Sequence, residues 1–183
     1  MPKNALTTRV APCTTEIYVA PVGTALPTAS AAIPAPWTSV GIWNEDPTLG
    51  LEVDTETLLA PNSCAPVRTI VKSRTFTWNI VHAQWTKLSV EHYFGSGTWA
   101  ASGAGERWTP AAALAVVEKA LIFQMIDGAQ ELRVLCPRVG FAPNGDIEFT
   151  TETLIGLPVE ATVLAPTTGA EIFIDANAAL LAA

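Results

Sequence analysis

The sequence predicts a mainly β protein of antiparallel strands, with one flanking α-helix and a long loop or hairpin. Prolines and glycines, 14 and 12 of 183 residues, punctuate the chain at short intervals. The segments between them are rich in Val, Ile, Thr, Phe and Trp, which fit a pleated surface better than a helix. Several of these segments alternate: Phe76, Trp78 and Ile80 share one parity, and Thr75, Thr77 and Asn79 the other, the period-two pattern of a half-buried strand. The length suits one domain, which would bury about two-thirds of its unfolded surface. Residues 1–183 are therefore read as a single unit with an N-terminal arm (1–14), a long acidic loop (44–66) and a short C-terminal tail (176–183).

Taken in order, the first strand is expected over residues 15–21. An Ala/Pro/Thr-rich connection follows over 23–36, with little to pack, and reads as an extended arm or loop. A second strand, 37–43, leads into 44–66, where Glu45, Asp46, Glu52, Asp54 and Glu56 occur without a Lys or Arg. Such runs are usually solvated loops; the functional alternative is a long hairpin reaching a neighbouring subunit or a lumen. In the strand 67–81, Arg68, Lys72 and Arg74 share the parity of Phe76 and Trp78, so this strand is expected to leave the core at its start and offer a basic edge.

Trp85, Leu88, Glu91 and His92 recur at helical spacing and Gly95 stands where a helix stops, which predicts the one substantial helix over 83–94. A Gly-rich stretch, 95–105, then forms a loop or hairpin. Residues 114–126 and 131–139 flank Asp127-Gly128 as a hairpin with a loop longer than two residues. Asn144-Gly145 separates 138–141 from a strand at 147–155. Residues 157–165 place Leu157, Val159, Ala161 and Val163 on one face, and a last strand is expected over 170–174.

Charge narrows the function. The formal net charge is −7, the wrong sign for gripping phosphates through clustered Lys and Arg, but suited to a wall along which DNA slides without sticking. Cys13, Cys64 and Cys136 are far apart, odd in number and without a CxxC, so they read as free thiols rather than a disulfide framework or zinc knuckle. The first ten residues lack the apolar run of a signal peptide. No stretch is long enough to cross a bilayer.

No chemistry-bearing constellation stands out. His82 and His92 form no HExxH pattern and read as structural. Gly95-Ser96-Gly97 lacks the spacing of a nucleophile elbow. The 95–105 stretch has no Gly-Lys-Ser/Thr element for phosphate. Acidic pairs such as Glu45 with Asp46, or Glu148 with Glu152, arise in any acidic β protein. Neither a cofactor nor an enzymatic activity is expected. Six tryptophans, at 37, 43, 78, 85, 99 and 108, keep open a carbohydrate-binding β-sandwich; Trp78 and Trp85 read as core by pattern, and subunit interfaces enrich Trp as well.

Several segments, in order, resemble the tail tube proteins of actinobacterial-type siphophages. They are Thr15-Glu16-Ile17-Tyr18-Val19-Ala20-Pro21, Trp37-Thr38-Ser39-Val40-Gly41-Ile42-Trp43-Asn44-Glu45-Asp46, Thr75-Phe76-Thr77-Trp78-Asn79-Ile80, Tyr93-Phe94-Gly95, and Gly156-Leu157-Pro158-Val159-Glu160-Ala161. The resemblance implies an antiparallel β-sandwich or split barrel that forms hexameric rings stacking into a tube, within a virion tail assembled in the host cytoplasm. It also implies tape measure protein, tail terminator and distal tail protein as partners, and DNA passing without specific binding. A tail terminator or connector of similar fold is the nearest alternative. On this reading Glu45, Asp46, Glu52, Asp54 and Glu56 are inter-subunit candidates and Arg68, Lys72 and Arg74 their partners. Thr75, Thr77 and Asn79 are lumen candidates because their face is polar and uncharged.

Overall fold

A computed structural model describes residues 14–59, 65–150 and 154–177. The elements in chain order are β1 (Thr14–Ala20), β2 (Thr38–Ser39), β3 (Trp43–Leu59), β4 (Pro66–His82), α1 (Lys87–Phe94), β5 (Gly97–Ser102), β6 (Gly105–Pro110), β7 (Val117–Asp127), β8 (Gln130–Pro143), β9 (Leu157–Val163) and β10 (Phe173–Ala176). Eight of the strands make one antiparallel sheet in the order β2-β1-β7-β8-β9-β4-β3; β10 pairs with β8 beside it, and β5 and β6 form a separate hairpin. β8 is the pivot, since its first half pairs with β10 (Leu135 with Phe173) and its second with β9 (Val139 with Val163). The sheet is open and folds over a shared core as a β-sandwich rather than closing as a barrel.

Alternation decides which side chains enter that core. Trp78 and Ile80 from β4 meet Leu157, Val159 and Ala161 from β9, all buried, and the Trp78 ring lies 5.0 Å from that of Phe123 on β7. β7 is buried on both faces: Leu121 and Phe123 belong to the main cluster, while Ala120 and Ile122 belong to a second one with Ala20, Trp37 and Leu135. An apolar run without alternation is what a strand covered on both sides requires.

The second cover is the connection 23–36, expected to have little to pack. It lies instead as a strap over β1, β7 and β8, with Leu26 and Ile33 against the second cluster. Arg133 fixes it: the buried guanidinium donates to the Thr28 and Ala31 carbonyls at 3.2 and 2.6 Å. The Glu131 carboxylate accepts from Arg133 and from Gln124, so the buried charge is paired, as burial demands.

The remaining differences from the sequence reading have local causes. The expected strand 37–43 shrinks to Thr38–Ser39, because Gly41 takes a φ of 91° and turns the chain. The helix starts only at Lys87, where Thr86 is an extended N-cap whose hydroxyl accepts from the Ser89 amide, while the Ser89 hydroxyl accepts from the Thr86 amide. Trp85 thus lies outside the helix and 46% exposed, not in the core, its indole donating to the Ile155 carbonyl. The stretch 95–105 is no free loop: β5 and β6 pair Trp99 with Trp108. Asp127 pairs directly with Gln130, leaving a two-residue loop in which Gly128 alone has positive φ (58°), the II′ arrangement. No strand occupies the described part of 147–155. β9 already takes the ladder beside residues 139–143, and Phe149 is left exposed.

Candidate functional site

The stretch 44–66, expected as an acidic loop, is largely strand. β3 and β4 pair along nearly their whole length, from Trp43 with His82 to Leu59 with Pro66; residues 60–64 lie outside the described part. β9 supports β4 only over Thr77–His82. Residues 66–76 and their β3 partners therefore extend beyond the sheet as a two-stranded arm of roughly 35 Å, at about 3.4 Å per residue. Between Asp54/Ser73 and Thr55/Val71 the register shifts and skips Lys72, a β-bulge that increases local twist.

Directly opposed residues share a face, which gives the arm two unlike sides. On one, Leu49 opposes Trp78, Leu51 opposes Phe76 and Val53 opposes Arg74, with Val71 opposite Thr55 beyond the bulge. This side continues the core row of β4 outward, yet Leu51 and Val71 are 56% and 63% exposed. On the other side Glu52 opposes Thr75, Asp54 opposes Ser73 and Glu56 opposes Ile70. That side runs back into the sheet through Thr77, paired with Thr162, and Asn79, paired with Glu160.

The predicted site residues thus fall into groups. Glu52, Asp54 and Glu56 sit together on the arm. Glu45 and Asp46 lie at its base, in the bulged start of β3, where Glu45 borders an open cleft of about 440 Å³ with Asn79, Asn144, Asp146 and Glu148. Thr75, Thr77 and Asn79 share the polar side; the Asn79 side chain donates to Thr48 Oγ1 at 3.4 Å and accepts from Asn144 at 2.8 Å. Of the basic candidates, Lys72 pairs with Glu56 of the same arm at 3.3 Å and Arg74 with Glu171 at 3.3 Å. Arg68, opposite Leu58, makes no ion pair among the described residues. The alternation of Leu49, Leu51 and Val53 with Gly50, Glu52 and Asp54 is the signal in the sequence that marks this stretch as a strand rather than a loop.

Most of the other described cations are also spent within the chain. Lys87 pairs with Glu106, Arg133 with Glu131, and Arg138 with Glu118. The two Arg138–Glu118 hydrogen bonds, both 2.9 Å, hold the carboxyl below and the guanidinium above their ordinary ranges. The described remainder is Arg68, Arg107 and Lys119.

His82 and His92 meet in the interior, where Nε2 of His82 and Nδ1 of His92 are 3.4 Å apart and the His92 ring stacks on Phe141 at 3.8 Å. Burial lowers the pKa of His82 to about 4 and that of His92 well below its ordinary value, the latter helped by His82 and Lys119. Both are neutral struts between α1 and the sheet. Burial also pushes the Cys136 thiol up to about 11, which leaves it unreactive; Cys13 and Cys64 lie outside the described residues. Among those residues no group of three or more His, Cys, Asp or Glu is placed to hold a metal. Among the described residues no helix is long and apolar enough to cross a membrane.

The open antiparallel sandwich carries an arm that outruns its sheet and leaves large aliphatic side chains exposed. A family model described as phage tail tube protein matches residues 1–177. The chain belongs to the phage tail tube protein family. No curated protein matches it. As a tail tube family member it is a structural component of a bacteriophage tail and associates with copies of itself into a tube. The tryptophans accord with that role: Trp37 and Trp78 are buried, Trp43 packs on the core, and Trp99 and Trp108 face each other across β5 and β6.

Proposed function

We propose that copies of this chain form hexameric rings that stack into the tail tube, and that phage DNA passes through the tube to the host without specific binding. The tape measure protein, tail terminator and distal tail protein are the further partners, and assembly takes place in the host cytoplasm. The observation that carries this reading is the arm of β3 and β4, which extends past its own sheet with large side chains uncovered and has a reason to do so only if another subunit receives it. Thr75, Thr77 and Asn79 face the lumen in this proposal. Their side of the sheet is polar, continues through Thr162 and Glu160, and sets Glu52, Asp54 and Glu56 against one described cation without an ion pair, Arg68 opposite Leu58.

Negative-stain electron microscopy of the concentrated protein tests this. Hollow tubes with a regular axial repeat and six-fold end views are expected. Closed rings that never stack would point to a tail terminator instead, and a protein monomeric up to its solubility limit would refute the proposal.

A further inference from the structure

We infer that the arm docks on a second copy of this chain through its apolar side, Leu49, Leu51, Val53 and Val71, and that its carboxylates stay out of the contact and face the lumen with Thr75, Thr77 and Asn79. The inference rests on the proposed stacking of subunits and says which chemistry holds them together.

Three observations carry it. The apolar side extends the Trp78–Phe76 row of the core beyond the edge of the sheet, so it is the surface of a core without its cover. Four large aliphatic side chains aligned there are between 38% and 63% exposed, a patch that soluble chains seldom leave bare. The second observation is charge. Two of the three partners expected for Glu52, Asp54 and Glu56 are engaged inside the chain, Lys72 by Glu56 and Arg74 by Glu171, and the third, Arg68 opposite Leu58, stands on the acidic side of the same arm. A second copy carries the same net charge of −7, and its described cations free of ion pairs are only Arg68, Arg107 and Lys119. Placing three carboxylates against such a surface costs desolvation without a matching gain. Thirdly, the acidic side is continuous with the polar side of the sheet through Gly50, Thr77 and Thr162. One orientation of the subunit therefore turns both toward the same space while the apolar side faces a neighbour.

Two triple variants of the full chain test the inference. Leu51→Thr/Val53→Thr/Val71→Thr keeps β-branched residues on the strands and removes apolar surface that is already exposed, so its melting temperature should match wild type. Its tubes should disappear, or need at least a tenfold higher protein concentration in sedimentation and microscopy. Glu52→Gln/Asp54→Asn/Glu56→Gln should assemble at the wild-type concentration or below it. The reverse pattern would overturn the inference in favour of a carboxylate contact. If both variants assemble like wild type, the arm is not the contact and the inference falls while the proposed tube stands. A wild-type chain that forms neither rings nor tubes removes the proposed function and this inference with it.

Discussion

Acid should loosen this protein through one pair of side chains. His82 and His92 are buried and neutral, and a proton on either must enter an interior that offers no acceptor to His82 Nδ1 or His92 Nε2. The folded pKa of His82 is about 4 against an ordinary 6.5. Above pH 6.5 neither the folded nor the unfolded chain is protonated there, and stability does not depend on the pair. Between 6.5 and 4 the unfolded chain binds a proton that the folded chain refuses, so stability falls as pH falls. Each pKa unit corresponds to about 1.4 kcal/mol, so His82 alone removes roughly 3 kcal/mol by pH 4 and about 2 kcal/mol by pH 5. His92 is shifted in the same direction and adds to the loss to the extent that the unfolded chain can carry both protons. Urea unfolding of the monomer, followed by tryptophan fluorescence at pH 7.5, 6 and 5, measures this against His82→Leu/His92→Leu. Replacing both partners by apolar groups removes the titration without leaving a polar group unpaired. The variant should lose about 2 kcal/mol less than wild type between pH 7.5 and 5, whereas carboxylates titrating in the same range affect both equally. Parallel pH curves for the two proteins would refute the reasoning.

Three further perturbations probe the parts that hold the subunit rigid. Arg133→Met removes the cation that pairs with Glu131 and holds the strap carbonyls of Thr28 and Ala31; a loss of about 3 to 5 kcal/mol in chemical denaturation is expected, together with faster proteolysis within residues 23–36. Gly97→Ala places a Cβ at 2.4 Å from the Trp108 indole, so the indole must leave its position near Phe94; about 1 to 3 kcal/mol should be lost, read as a lower melting temperature. Ile80→Ala empties a site 1% exposed at the centre of the core and should cost about 2 to 5 kcal/mol in urea unfolding.

Where a residue's neighbours in sequence determine its surroundings, the sequence was readable. Leu157, Val159, Ala161 and Val163 alternate into the core as their spacing predicts, and Phe76, Trp78 and Ile80 share the inward side of β4. The helix stop at Gly95 follows from a backbone that only glycine adopts easily, at a φ of 84°. What failed depended on distant partners. A strand at 147–155 had the right residues but no open ladder to join, and Trp85 had helical spacing but stands before the cap that starts the helix. The strap 23–36 looked unpacked because its anchor, Arg133, is 102 residues from Ala31. The pairing of His82 with His92 depends on α1 folding back over β4 and β8, which spacing alone does not show. The arm is the instructive case: its acids drew attention as a charge run, while the leucines and valines between them carried the strand signal.

Read as a strand pair, the same residues resolve the conflict between a sticky and a slippery surface in one small chain. A tube wall must bind its neighbours firmly and its cargo hardly at all. Strand alternation separates the two demands at single-residue resolution, because Leu51 and Glu52, adjacent in sequence, point to opposite sides of one ladder. A helix of the same length would spread both kinds of side chain around its circumference. In the proposed tube every subunit adds the same three carboxylates to the same side. Their mutual repulsion would oppose any contact made through that side, and the same repeated charge would keep a DNA backbone from settling on it. The internal ion pairs serve both ends: Lys72 is spent on Glu56, one of the lumen-side carboxylates, and Arg74, which opposes Val53 on the aliphatic side, is spent on Glu171, so that the aliphatic side supplies the attraction between copies.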